Sequence, residues 1–198
     1  NLNQESKLLL PAYLCDSITN QFSKRKIQVY FYKVNSDLTI NLSDFKQKLQ
    51  VKPQVVLVIH YFGFIQPDIE EIVKLCIKNK AYLIDDLVQS PLSEYNSKAD
   101  FVFNSYRKVL PLAEGAMLQV NKSNEFNSKN IIKKSFKHLS FVSSRTIAAI
   151  LKNISFLKLI WRHLFIHSEE CLIDAYPKPA KMSNLSRYII NRLDFKEI

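Results

Sequence analysis

Short apolar runs alternate with amphipathic stretches over the first two-thirds of the chain. Residues 7–14, KLLLPAYL, read as a short buried strand ended by Pro11, because proline has no N–H to give a ladder. Asp16 to Ser23 reads as a helix with Asp16 or Ser17 as its N-cap. Residues 27–34, IQVYFYKV, are rich in β-branched and aromatic types and read as a second strand. A turn at Asn35 to Asp37 leads into Leu38 to Leu42, and Ser43 is expected to cap a short helix through Leu49. The run VVLVIHYF at 55–62 has the continuous apolar character of a parallel strand covered on both faces. From Asp68 to Asn79, apolar residues recur at Ile69, Ile72, Val73, Cys76 and Ile77, the spacing of one helix face. AYLIDDLV at 81–88 reads as a further buried strand ended by two adjacent acids; DFVFNSY at 100–106 and GAMLQV at 115–120 complete the series. Strands alternating with helices in this order predict an α/β fold with a mostly parallel sheet flanked by helices.

After Asn121 the pattern changes. Between Asn121 and Ile166 there are nine Lys or Arg against one acid, Glu125, and no Pro or Gly, so this part is expected to form two or more helices with solvated basic faces. Tyr176 to Pro179 interrupts, and Ser183 to Leu193 begins a new amphipathic helix. The most apolar stretch, Ile147 to Ile166, is broken by Lys152, Lys158, Arg162 and His163, more charge than a membrane span carries, so no membrane is expected. The opening NLNQESKLLLP has no cationic segment followed by a long apolar one and does not read as a signal peptide.

Composition excludes several chemistries. The chain has only two glycines, Gly63 and Gly115, so neither a dinucleotide-binding GxGxxG loop nor a P-loop can be written. Any phosphate must be held by side chains, helix ends or a segment outside these 198 residues. Cys15, Cys76 and Cys171 are odd in number and far apart, with no zinc spacing, which fits reduced thiols in the cytoplasm and no metal. The net charge of +10 permits a nucleic-acid or anionic-surface partner, yet no basic-aromatic strand pattern or nucleic-acid motif accompanies it, and nucleic acid is not the expected partner.

In a parallel α/β sheet, ligands bind beyond the carboxyl ends of the strands. Three such ends carry His60-Tyr61-Phe62-Gly63, then Asp85-Asp86-Leu87-Val88-Gln89-Ser90, then Ser105-Tyr106-Arg107-Lys108. HYFG, DDLVQS and SYRKVLPLAEGAML, in that order, resemble the DegT/DnrJ group of sugar aminotransferases, fold-type I enzymes of pyridoxal 5'-phosphate (PLP). LLLPAYLCDS near the start and SNLSRYI near the end are also similar to that family, so the resemblance covers nearly the whole chain.

The resemblance implies a PLP-transferase-like large domain followed by a helical segment. Residues 1–121 would be its α/β core, 122–176 its helical part and linker, and 177–198 the start of a small domain. It implies Lys108 as the lysine that holds the cofactor as an aldimine and later moves the substrate proton. A lysine of ordinary pKa, about 10.4, is a poor nucleophile at neutral pH, and activation is expected from burial and from positive neighbours such as Arg107. Asp86 would face the pyridine nitrogen and keep it protonated, or else serve as a helix cap. Gln89 is either a cofactor contact or a turn hydrogen bond, and Ser105 either a phosphate ligand or a hydroxyl satisfied by backbone. His60 is a cofactor or substrate contact or a satisfied strand-end histidine, while Asp85 reads as a structural acid. Ala116 stands where the family commonly has a second glycine, and the spacing from Asp86 to Lys108 is short. The family's phosphate cup lies upstream of the point where this chain begins, and its small domain continues past Ile198.

The implied activity is amino transfer to a nucleotide-linked keto sugar from an amino-acid donor, in a homodimer. Two alternatives remain open at this level: a catalytically silent relative that acts by binding or assembly, and a basic α/β module for nucleic acid or an anionic surface.

Overall fold

The computed structural model describes residues 2–90, 93–110, 112–121, 136–152, 154, 157–174 and 181–193. The chain divides into two compact units, one of residues 1–104 with 117–124 and the other of 105–116 with 125–198.

In the first unit, strands β1 (Lys7–Pro11), β2 (Gln28–Tyr32), β3 (Val55–Ile59), β4 (Tyr82–Asp86), β5 (Phe101–Asn104) and β6 (Met117–Val120) form one sheet in the order β2-β1-β3-β4-β5-β6. All neighbouring pairs are parallel except β5 with β6, which is antiparallel. Helices α1 (Asp16–Ser23), α2 (Leu42–Lys48) and α3 (Ile69–Lys78) lie between successive strands. The strand order reverses between β1 and β3, which makes the carboxyl ends of those strands the topological switch point.

Both sheet faces are covered, as the apolar run of β3 requires: all five of its residues are buried. On one face Leu9, Val56, Val58, Leu83 and Val102 pack with Phe45 of α2 and Ile72 and Cys76 of α3. On the other, Leu8, Leu10, Val55, Leu57 and Ile59 pack with Ile18 and Phe22 of α1. The edge strand β6 is mostly exposed.

Three local expectations are corrected. Cys15, not Asp16 or Ser17, is the N-cap of α1, with no side-chain cap; Asp16 stands in the first turn, where the helix dipole favours an acid. Asn41, not Ser43, caps α2: its Oδ1 accepts from the Asp44 N–H at 3.0 Å, while the Ser43 hydroxyl donates to that same oxygen at 2.8 Å. An asparagine amide in the N-cap reaches the third helical N–H, and a serine two residues later has no unpaired N–H to reach. Ile77 leaves the buried stripe of α3 and is 72% exposed. At about 100° per residue it sits roughly 105–110° around from the centre defined by Ile69, Ile72 and Cys76.

In the second unit, α4 (Phe136–Leu151) and α5 (Lys158–Asp174) pack together as a helical pair, and α6 (Asn184–Ile190) follows. Arg145 lays its guanidinium over the Phe165 ring at 4.1 Å, so this basic residue covers apolar surface. Lys152, Lys158 and Arg162 are exposed, as expected for solvated faces. The expectations on 122–135 and on Tyr176 to Pro179 lie outside the described residues. Among the described residues no helix is long and apolar enough to cross a membrane.

Candidate cofactor site

Side chains alternate across a strand, so the adjacent acids at the end of β4 must point to opposite faces of the sheet. Tyr82 and Ile84 share a face with Asp86, and Leu83 shares the other with Asp85. The register sets Val58 beside Asp85, and Ile59 and Phe103 on either side of Asp86.

Asp85 is fully buried and tied into a polar cluster. Its Oδ2 accepts from the Tyr95 hydroxyl at 3.2 Å and from the Ser97 hydroxyl. His60, also fully buried, follows β3 and brings Nε2 to 3.7 Å from that same oxygen. Its Nδ1 accepts from the Gln66 N–H at 3.1 Å, which assigns the ring proton to Nε2. His60 therefore sits on the Asp85 side of the sheet, with no exposed surface.

Asp86 has a different setting. Its Oδ1 accepts from the Val88 N–H at 2.9 Å, and its carbonyl accepts from the His60 N–H at 3.1 Å. Burial pushes its carboxyl up from the ordinary 3.8 to about 6; the Val88 N–H and His60 oppose that rise, and the Asp85 charge adds to it. Tyr61 is the neighbouring aromatic. Burial first, and then the Asp86 charge, hold its phenol well above the usual tyrosine range. The Tyr61 hydroxyl donates to the Tyr13 carbonyl at 2.5 Å, and the two rings pack with centroids 5.5 Å apart, joining the ends of β1 and β3.

Gln89 is exposed, and its Oε1 accepts from the Phe62 N–H at 2.6 Å. That bond pins a turn in which Phe62 and Gly63 both have positive φ, 51° and 93°. A left-handed Phe costs about 1–2 kcal/mol, and the Gln89 bond helps offset it. The HYFG and DDLVQ segments are thus bonded to each other.

In the second unit, Ser105 is half-buried and its hydroxyl lies 3.5 Å from the Gly115 carbonyl. Tyr106 to Lys108 forms a single 3-10 turn. Lys108 is exposed, so the burial expected to activate it is not provided here. Sequence reasoning gave Glu114 no role beyond a motif match. This buried carboxylate accepts from the Ser183 N–H at 2.6 Å and the Ser186 hydroxyl at 3.3 Å, fixing the start of α6. Ser183 itself caps that helix, accepting from the Ser186 N–H. An acid immediately before a glycine of positive φ, Gly115 at 137°, was the only local signal of a special position. Among the described residues, no group of three or more His, Cys, Asp or Glu is placed to hold a metal.

The mixed, mostly parallel six-stranded sheet flanked by helices is the fold of PLP-transferase-like aminotransferase large domains. No family model matches the sequence, and no curated protein matches it either. Solved structures do. A DegT/DnrJ/EryC1/StrS aminotransferase from Brucella abortus superposes with a TM-score of 0.53 at 13% identity, over 62% of this chain and 37% of that one. The aminotransferase TlmJ from Streptoalloteichus hindustanus gives 0.53 at 22% identity, over 61% and 35%. A 3-amino-5-hydroxybenzoic acid synthase gives 0.53 at 11% identity, over 76% and 36%. The chain thus spans about a third of the length of the structures it resembles.

Asp86 fits the cofactor of this fold class. It is an acid buried beside an aromatic ring, and its raised pKa marks a carboxylate that a protonated ring nitrogen would stabilise.

Proposed function

We propose that the chain is part of a PLP-dependent aminotransferase of the sugar-modifying type. The observation that carries the reading is Asp86: a buried carboxylate at the carboxyl end of a parallel strand, beside Tyr61 and facing away from its neighbour Asp85. PLP, when bound, supplies the electron sink that makes amino transfer possible. Asp86 would be the residue that holds the pyridine nitrogen, its burial favouring a charge-assisted bond. Lys108, as the family resemblance implies, would hold the cofactor and serve as the proton-moving base. Ser105 would be the phosphate contact that the family resemblance implies. Gln89 acts through the turn it pins rather than through its own exposed amide. The proposed substrates are a nucleotide-linked keto sugar and an amino-acid donor, and the proposed working form is a cytoplasmic homodimer.

The test is cofactor capture. Incubation with PLP is expected to give a long-wavelength absorbance band that borohydride abolishes, leaving the reduced cofactor on the peptide that carries Lys108. Label on a different lysine, or no band at all, would refute the assignment. The exposure of Lys108 favours a second reading, a relative of the same fold that binds without chemistry. Cofactor bound reversibly, with no borohydride label, would select it.

A further inference from the structure

The proposed function leaves unused the polar cluster behind Asp86. A buried carboxylate is costly, and well-packed apolar residues in its place are often as stable or more so. This one stands at the carboxyl edge of the sheet, next in sequence to the residue assigned to the cofactor. Tyr95 and Ser97 hold Asp85 from the loop before β5, and the Tyr95 and His60 rings lie with centroids 5.2 Å apart. His60 is held at two points, its Nδ1 accepting from the Gln66 N–H and its carbonyl from the Ser90 hydroxyl at 3.3 Å, while its Nε2 lies 3.7 Å from Asp85 Oδ2 without a hydrogen bond. Gln66 is itself fixed, donating to the Leu38 and Ile59 carbonyls and accepting from the Ile40 N–H. The one main-chain hydrogen bond from this cluster to the opposite side's acid runs from the His60 N–H to the Asp86 carbonyl at 3.1 Å.

We propose that Asp85, with Tyr95 and Ser97, is a positioning group. It holds the Tyr95 ring against His60, whose backbone N–H sets the Asp86 peptide and so aims the Asp86 carboxyl across the sheet. The inference rests on the reading of Asp86 as the cofactor's acidic partner. The charged and titratable groups that bear on Asp86 are His60 after β3, Asp85 on β4, and Tyr61 on its own face.

Two measurements decide it without any cofactor: hydrogen exchange at the His60 amide relative to the β3 amides, and the carbon-detected titration midpoint of the Asp86 carboxyl. Asp85→Asn is expected to speed exchange at His60 on the order of tenfold relative to Leu57. It is also expected to move the Asp86 midpoint toward acid, because a like charge has been removed. Tyr95→Phe, which takes one hydroxyl from Asp85 and no charge, speeds His60 exchange in smaller measure with the Asp86 midpoint near its parent value, and decides the matter by exchange if Asp85→Asn does not fold. Ile72→Val, an apolar change in the same buried layer, alters all β3 amides alike and leaves the midpoint in place. The inference is overturned if Asp85→Asn or Tyr95→Phe behaves like Ile72→Val. Failure to capture PLP would overturn the proposed function, yet leave both readouts interpretable.

Discussion

Burial of Asp86 has a consequence for stability that can be worked out in sign and size. Its carboxyl titrates near 3.8 when unperturbed and at about 6 in the folded chain. Between those values the folded state holds a proton that the unfolded state has lost, so stability falls as pH rises through this window. Below about pH 4 both states are protonated and the penalty is absent; above about pH 6 it is fully present. Two units at about 1.4 kcal/mol each give ~3 kcal/mol. Asp86→Asn keeps an oxygen to accept the Val88 N–H and removes the titration. The variant is therefore expected to match the parent near pH 4 and to exceed it by up to ~3 kcal/mol near pH 7.5. Urea unfolding of both proteins across this range, with the slopes compared to keep the two-state treatment valid, measures the difference directly. Parallel pH profiles, or a variant less stable than the parent at neutral pH, would sink the account of Asp86 as a destabilised charge. The same penalty explains why PLP should stabilise the parent: a protonated ring nitrogen restores to the carboxylate what desolvation removed, and Asp86→Asn should lose that gain.

Three further outcomes are expected. Lys108→Ala abolishes borohydride labelling, while its stability stays within about 0.5 kcal/mol of the parent because the side chain is exposed; mass spectrometry and urea unfolding check the two halves. Asn41→Ala costs about 1 kcal/mol as a lost N-cap and Ser43→Ala only a few tenths, an ordering that thermal unfolding resolves and that reverses if Ser43 is the cap. Glu114→Ala leaves the Ser183 N–H without its carboxylate and costs about 1–3 kcal/mol, with hydrogen exchange rising first at Ser183 and in the first turn of α6.

The layered α/β class was legible because continuous apolar runs leave few alternatives to covered parallel strands, and β3 and β4 fall where those runs fall. Helix starts were read one or two residues late, because Asn41, Ser43 and Asp44 are all good caps and only the backbone decides which N–H groups need a partner. Ile77 was misplaced for a related reason: a helical stripe has flanks, and spacing alone does not say how far the sheet covers them. The site divides in the same way. Asp86 at a strand end follows from pattern, since its place needs only the period of β4. Glu114 holding Ser183 spans 69 residues and Gln89 holding Phe62 spans 27, and no local rule joins either pair. Lys108 shows the reverse error, in which motif order suggested a buried amine and the structure gives an exposed one.

The adjacent acids of β4 connect these results. A motif of two neighbouring carboxylates suggests a pair acting together, but a strand cannot present two successive side chains to one ligand. One must turn to each face, and here each finds an environment suited to a different task. Asp85 takes the Tyr95 and Ser97 hydroxyls on Oδ2, while its buried Oδ1, and the His60 Nε2 that lies 3.7 Å from Oδ2, have no hydrogen-bond partner. Asp86 accepts one backbone N–H beside an aromatic ring, and burial, the largest influence on it, raises its pKa to about 6. Under the proposed function, Asp86 keeps its affinity for an incoming cation while the Tyr95 and Ser97 hydroxyls hold Asp85 on the other face. Exchanging the two environments would lose both functions while leaving the sequence motif unchanged in character, so the chemistry of this pair depends on the faces of the sheet more than on the letters of the motif.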